Sequence, residues 1–203
     1  MVEGSLPGLP VRYRDLGPIG AGGMGEVRRV HDAELDRVVA LKLVRQDLGA
    51  DGVEQLRREA RTTARLDHPA IVAVHDVGVL DDGRVWFTMR EVRGQTLASL
   101  LAADDRPRLR RLLDLLAQVG RAVAHAHASG VVHRDLKPDN VMVGPFGEVQ
   151  VMDWGLGWAL DDGAPSDEIA GTPAYMAPEQ ARGQAGLLGP PTDVYALGAV
   201  LYE

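Results

Sequence analysis

The chain has 203 residues, of which 45% are hydrophobic and 25% charged, with a formal net charge of −7 and no cysteine. These proportions argue against a disordered, collagen-like or membrane-spanning polypeptide, and the missing thiols exclude disulfides and thiolate metal sites. The acidic balance predicts no nucleic-acid partner, because such binding needs a basic face that releases counterions. A cysteine-free chain fits a reducing compartment, so the cytoplasm is the expected location.

In chain order, residues 1–10, "MVEGSLPGLP", read as a leader. They carry an acid and two prolines but no basic and apolar regions of a signal peptide. No apolar stretch reaches about 18 residues, so this chain by itself is expected to make no membrane contact. Next, "YRDLGPIGAGGMGEVRRVHD" alternates short extended runs with glycine, and "DRVVALKLV" predicts a β-branched strand ending near Arg45. Apolar or small residues at Val53, Leu56, Ala60 and Ala64 predict an amphipathic helix over Val53 to Leu66, closed by Pro69. Two strand-like runs, "AIVAVHDVGVL" and "RVWFTMREV", flank "DDGR", whose Asp-Gly pair signals a hairpin. Beyond Gly94 the texture turns helical, with "LRRLLDLLAQVGRAVAHAHASG" ending at Gly130. Loops punctuated by glycine and proline then lead to a final apolar run, Val194 to Tyr202. Arg57, Arg58, Arg61 and Arg65, and again Arg106, Arg108, Arg110 and Arg111, read as solvated helix faces. The fold class predicted is α+β in two lobes, residues 11–92 and 93–203, with the boundary near 90 to 95.

Several stretches carry chemistry. "GAGGMGEV", Gly20 to Val27, fits a glycine-rich loop whose backbone N–H groups approach phosphates. A dinucleotide-binding turn has similar spacing, but it requires a helix after the glycines and an acid about 20 residues on. Here strand-like residues follow, and Lys42 stands where the acid would be. Lys42 at the end of "VALK" could hold nucleotide phosphates if an acid held it in turn, and Glu59 on the following helix is the candidate; taken singly, both read equally well as surface charges. "HRDLKPDN", His133 to Asn140, is more specific: Asp135 can accept a hydroxyl proton, Lys137 can neutralise a phosphoryl group, and Asn140 offers an oxygen to magnesium. "VMDWG" adds a second metal ligand, Asp153.

With "GTPAYMAPEQ" and "DVYALG" following in order, the chain resembles Hanks-type protein kinases, most closely the bacterial serine/threonine branch, over residues 11–203. The resemblance implies a sheet-rich N-lobe with one main helix and a helical C-lobe, clamping ATP between them. Ile19, Gly20, Ala21, Gly22, Gly23, Met24 and Gly25 would cover the phosphates, and Lys42 with Glu59 would hold two of them. Val27, Ala40 and Met142 would sandwich adenine, Met89 would be the gatekeeper, and Arg90 to Val92 would present hinge backbone groups. Asn140 and Asp153 would bind Mg²⁺, with Mn²⁺ as the alternative, while Asp135 and Lys137 would carry the transfer. Lys137 and Thr172 match the serine/threonine branch, so the expected partners are ATP and protein substrates. Arg134 would answer an activation-segment charge, with Ser166 as the leading regulatory hydroxyl and Thr172 the other or, unphosphorylated, Asp161, Asp162, Asp167 or Glu168 as its partner.

Two departures from the family stand out. Trp154 replaces the usual phenylalanine. Asp193 matches an aspartate that braces the "HRD" backbone from helix F, and the resemblance implies that the C-lobe is cut soon after that helix begins. An exposed apolar patch prone to self-association would follow, Glu179 would lack its usual arginine, and a longer parent could be membrane-anchored. The competing reading is a non-catalytic one, an ATP-binding pseudokinase-like protein or truncated interaction module. Lys42, Asp135 and Asp153 are all present, which weighs against degeneration of the site. His68, His127 and His133 fall at structural positions of the family, and no histidine is assigned to a metal.

Overall fold

In the computed structural model, which describes residues 6–22, 25–105, 107–163 and 169–203, the chain divides into two units. One contains the chain through Ala64 together with Ala73–Val92, and the other contains Arg65–Val72 and Arg93–Glu203.

The first unit is built on five antiparallel strands: β1 (Tyr13–Ala21), β2 (Gly25–Asp32), β3 (Arg37–Val44), β4 (Val74–Val79) and β5 (Val85–Arg90), in the order β1-β2-β3-β5-β4. Alternation along central β3 sorts its side chains to two faces. Val39, Leu41 and Leu43 pack with Tyr13, Val30, Leu80 and Trp86, each large apolar side chain contributing roughly 1.5–3 kcal/mol. Ala40 and Lys42 lie on the other face. Strand β1 is irregular because Gly17, at φ 111°, precedes Pro18, which has no N–H to give, and the register shifts on either side of them. The segment read as a leader contributes Leu6 and Leu9 to the packing around Trp86, turned inward about Gly8 at φ 82°.

Helix α1 spans Gly49–Ala64, not Val53 to Leu66. It begins early because a 3-10 turn at Gln46–Leu48 feeds it through Gly49, and Asp51 complements its N-terminal dipole. It ends before Leu66 because Leu66 is buried in the core of the second unit, so Pro69 plays no part in closing it. The run from Ala70 to Leu80 is likewise divided. Ile71 bridges Val151 in the second unit, whereas Val74–Val79 forms β4 in the first. The predicted Asp-Gly hairpin is present, with Gly83 at φ 83° and its N–H donating to Leu80 O at 3.0 Å.

The second unit contains β6 (Gln95–Thr96), α2 (Leu97–Ala102), α3 (Leu109–Ala128), β7 (Val131–Val132), β8 (Val141–Val143), β9 (Val149–Val151), β10 (Trp158–Ala159), α4 (Pro178–Ala181) and α5 (Pro190–Tyr202). Helix α2 is capped by Thr96 Oγ1, which accepts from Ser99 N at 3.0 Å. Helix α3 buries Leu115, Val119, Ala122, Val123 and Ala126, one stripe at helical spacing, against Ile71, Leu136, Val151 and Trp154. Gly130, at φ 73°, turns the chain after it. Helix α5 adds Ala196 and Val200 to the same core and leaves Val194, Leu201 and Tyr202 exposed. Among the described residues no helix is long and apolar enough to cross a membrane.

Candidate active site

Val27, Ala40 and Met89 of the first unit, expected from the sequence to face a nucleotide, gather on the face of β3 that carries Lys42. Register places Val27 of β2 opposite Lys42, and Ala40 opposite Met89 of β5. Lys42 Nζ donates to both carboxylate oxygens of Glu59, at 2.6 and 2.7 Å, and Glu59 is only 4% exposed. Helix α1 supplies Glu59 because Leu56 and Ala60 bury the same side. The glycine-rich segment closes with Gly22 N donating to Gly25 O at 2.8 Å. Gly25 is required by packing, since a Cβ there would stand 2.3 Å from Leu43 O. Gly20 and Gly22 differ: open space surrounds the place of their Cβ, and neither has a positive φ. Ile19, 42% exposed, and Ala21 end β1, and Val92 lies just after β5. Gly23 and Met24 lie outside the described residues.

The second unit brings together Asp135, Lys137, Asn140 and Thr172. Lys137 Nζ donates to Asp135 Oδ2 at 2.9 Å and to Thr172 Oγ1 at 2.7 Å, and the Thr172 hydroxyl donates to Asp135 Oδ1 at 2.8 Å. Asn140 Nδ2 donates to Asp135 O at 2.8 Å, which leaves its side-chain oxygen as the group to offer a cation. Asp153 follows β9 and is exposed, while Met142 sits on β8 opposite Gln150. Arg134 and Asp153 both have positive φ, 69° and 57°, conformations that cost non-glycine residues of order 1–3 kcal/mol.

What holds Arg134 in that geometry is visible. Asp193, 1% exposed on α5, accepts from His133 N at 2.8 Å, from Arg134 N at 2.9 Å and bonds His127 Nε2 at 2.8 Å. Gln180 Nε2 donates to Arg134 O and to Ala170 O, each at 2.6 Å. His133 Nδ1 accepts from Asp135 N at 3.2 Å, and its Nε2 reaches Met152 O at 3.0 Å. Sequence reasoning anticipated Asp193 but passed over Gln180, although "APEQ" places it one residue after Glu179. Glu179 Oε1 accepts from Thr192 Oγ1 at 2.9 Å. Ser166, Asp167 and Glu168 lie outside the described residues.

A sheet unit carries the lysine–glutamate pair, and a helical unit carries the braced Asp-x-Lys-x-x-Asn loop. Consistent with this, the family described as protein kinase domain matches residues 13–203, and the chain belongs to that family. Among its relatives, serine/threonine-protein kinase PknA of Mycobacterium tuberculosis is 44% identical over 204 residues, covering 96% of this chain and 47% of PknA. PknB of Mycolicibacterium smegmatis is 42% identical (96% of this chain, 32% of PknB), and PrkC of Bacillus subtilis 39% identical (95% of this chain, 30% of PrkC). The chain thus spans about half the length of PknA and about a third of the other two.

Proposed function

We propose that this chain transfers the γ-phosphoryl group of ATP to serine and threonine hydroxyls of proteins. The observation that carries this reading is the Thr172 hydroxyl seated on Asp135 beside the Lys137 ammonium. A carboxylate that already accepts a hydrogen bond from a hydroxyl, oxygen to oxygen 2.8 Å, has the reach and chemistry of a general base for alcohols. In the transfer, a substrate hydroxyl takes the place of Thr172. Its oxygen bonds to the γ-phosphorus, the bond from that phosphorus to the oxygen bridging to the β-phosphate breaks, ADP leaves, and Asp135 receives the proton. Lys137 offsets the charge on the transferring group.

The first unit fits the phosphate end of the nucleotide. Packing does not demand glycine at Gly20 or Gly22, so their missing side chains leave the backbone there open to close approach by a ligand. Lys42, oriented by Glu59, would neutralise the phosphates. Val27, Ala40, Met89 and Val92, with Met142 of the second unit, would take the base. Asn140 and Asp153 would hold magnesium, or manganese in its place. Two oxygen donors suit an ion that completes its shell with phosphate oxygens and water, and among the described residues no group of three or more acidic or histidine side chains could hold a metal without them. Magnesium bound there would neutralise charge developing on the phosphates. Arg134 and Ser166 would regulate the site, and the ATP-rich cytoplasm would be its compartment.

The test is transfer of labelled γ-phosphate by the purified chain to a basic protein acceptor. Label should enter the acceptor and vanish with Asp135→Asn. ATP binding without transfer would point to a non-catalytic nucleotide-binding protein, and absence of binding would overturn both readings.

A further inference from the structure

Arg29 and Glu91 form an ion pair that the transfer chemistry does not use. Arg29 Nε donates to Glu91 Oε1 at 3.0 Å and Nη2 donates to the same oxygen. The Glu91 side chain is 7% exposed and that of Arg29 43%. Register fixes where the pair lies. Arg29 of β2 stands opposite Ala40 of β3, and Ala40 stands opposite Met89 of β5. Glu91, two residues after Met89, returns to the same face. Strand β3 separates β2 from β5, so the two side chains meet across it, over Ala40. A small residue at that point leaves room for the arch.

Stability is a weak reason for such a pair, because an apolar pair of similar size serves about as well; fixing a register is the better-attested use. The elements it joins are the strand that follows the glycine loop and the segment Arg90–Val92. They are not hydrogen-bonded neighbours, so no backbone ladder sets their separation directly. The row Arg29–Ala40–Met89 is one step of the sheet from the row Val27–Lys42–Phe87, about 7 Å along the strands. The first row, with Ala40 and Met89, lies toward the base end of the proposed nucleotide face, and Lys42 in the second marks its phosphate end.

We propose that Arg29 and Glu91 are a positioning pair that sets the grip of this face on the nucleotide base and leaves the phosphate end alone. The inference rests on the nucleotide-binding reading above. It is tested by measuring the Kd of MgATP and of magnesium tripolyphosphate, which has no base, for the wild type, Arg29→Met, Glu91→Gln and the swapped double variant Arg29→Glu/Glu91→Arg. Each single variant should weaken MgATP about tenfold, the scale of one lost charge-assisted contact, with tripolyphosphate unchanged and the swap recovering most of the loss. Arg29→Lys, which keeps the charge without the planar fork, should fall between, and it serves if Arg29→Met does not fold. Unchanged MgATP affinity in the single variants, or equal weakening of both ligands, would overturn the pair's role while the nucleotide reading stands. A wild-type chain that binds neither ligand would overturn that reading and this inference with it.

Discussion

Trp154 keeps its indole N–H buried without a hydrogen-bond partner among the described residues, and its ring lies 4.5 Å from that of His133. A buried donor left unsatisfied costs about 1–3 kcal/mol. Replacing it with phenylalanine removes that cost along with some apolar contact, so the two changes nearly offset each other. Trp154→Phe should therefore shift the chemical-denaturation free energy by less than about 1.5 kcal/mol, well short of the ~3–5 kcal/mol of an aromatic-to-alanine truncation. A loss of truncation size would show that the indole N–H is satisfied. His68 offers a second test at this scale. Its Nδ1 accepts from Ala70 N at 3.1 Å, and its ring lies 5.2 Å from that of His125. Burial first, then the nearby His125 and Arg121, lower its proton affinity. The folded chain therefore holds this proton less readily than the unfolded chain. The stability contributed by neutral His68 is complete above the unfolded value near 6.5 and is lost as pH falls through that value toward the lower folded one. The unfolding midpoint of the wild type should drop between pH 7.5 and 5.5, and His68→Asn should flatten that slope; parallel profiles would remove His68 as the cause.

At the scale of elements, the loop His133–Asn140 takes its shape from α5. Asp193→Ala would deprive His133 N and Arg134 N of their acceptor. Hydrogen bonds to a charged group contribute about 1.5–3 kcal/mol each, so the variant should lose roughly 2–5 kcal/mol in denaturant titrations and at least a hundredfold in phosphate transfer. Activity near that of the wild type would mean that the loop holds its geometry without the brace. This brace was legible in the sequence because "HRD" and the later aspartate are both local motifs in a recognisable order, as are "VALK" and the helix bearing Glu59. Other features were not. The apolar run from Ala70 to Leu80 gives no sign that the chain changes partners at Ala73, because alternation reports burial and not which core does the burying. Nor does any local pattern announce Arg29 with Glu91, 62 residues apart, since their meeting depends on the register of three strands. The short helix α2 was missed for a simpler reason: six residues are too few to establish a period.

For the whole molecule, each unit carries residues proposed to bind nucleotide or its metal, Lys42 in the first and Asn140 and Asp153 in the second. A ligand that binds only the folded chain stabilises it by about 2.7 kcal/mol at a hundred times its Kd. For a chain of this length, that corresponds to roughly 5–10 °C in the unfolding midpoint. MgATP should produce such a shift, and Lys42→Met and Asp153→Asn should each reduce it at the same ligand concentration. If only one of the two variants weakened the shift, nucleotide binding would belong to a single unit.

The brace from α5 also sets an order in time. Asp193 lies 60 residues downstream of His133, the first of the backbone groups it holds. At roughly 5–20 residues per second, a ribosome adds that length in about 3–12 s. Throughout that interval the nascent polypeptide carries Asp135, Lys137 and Asn140 on a segment whose fastening has not yet been made. Synthesis itself thus delays the fastening of this loop until α5 has emerged.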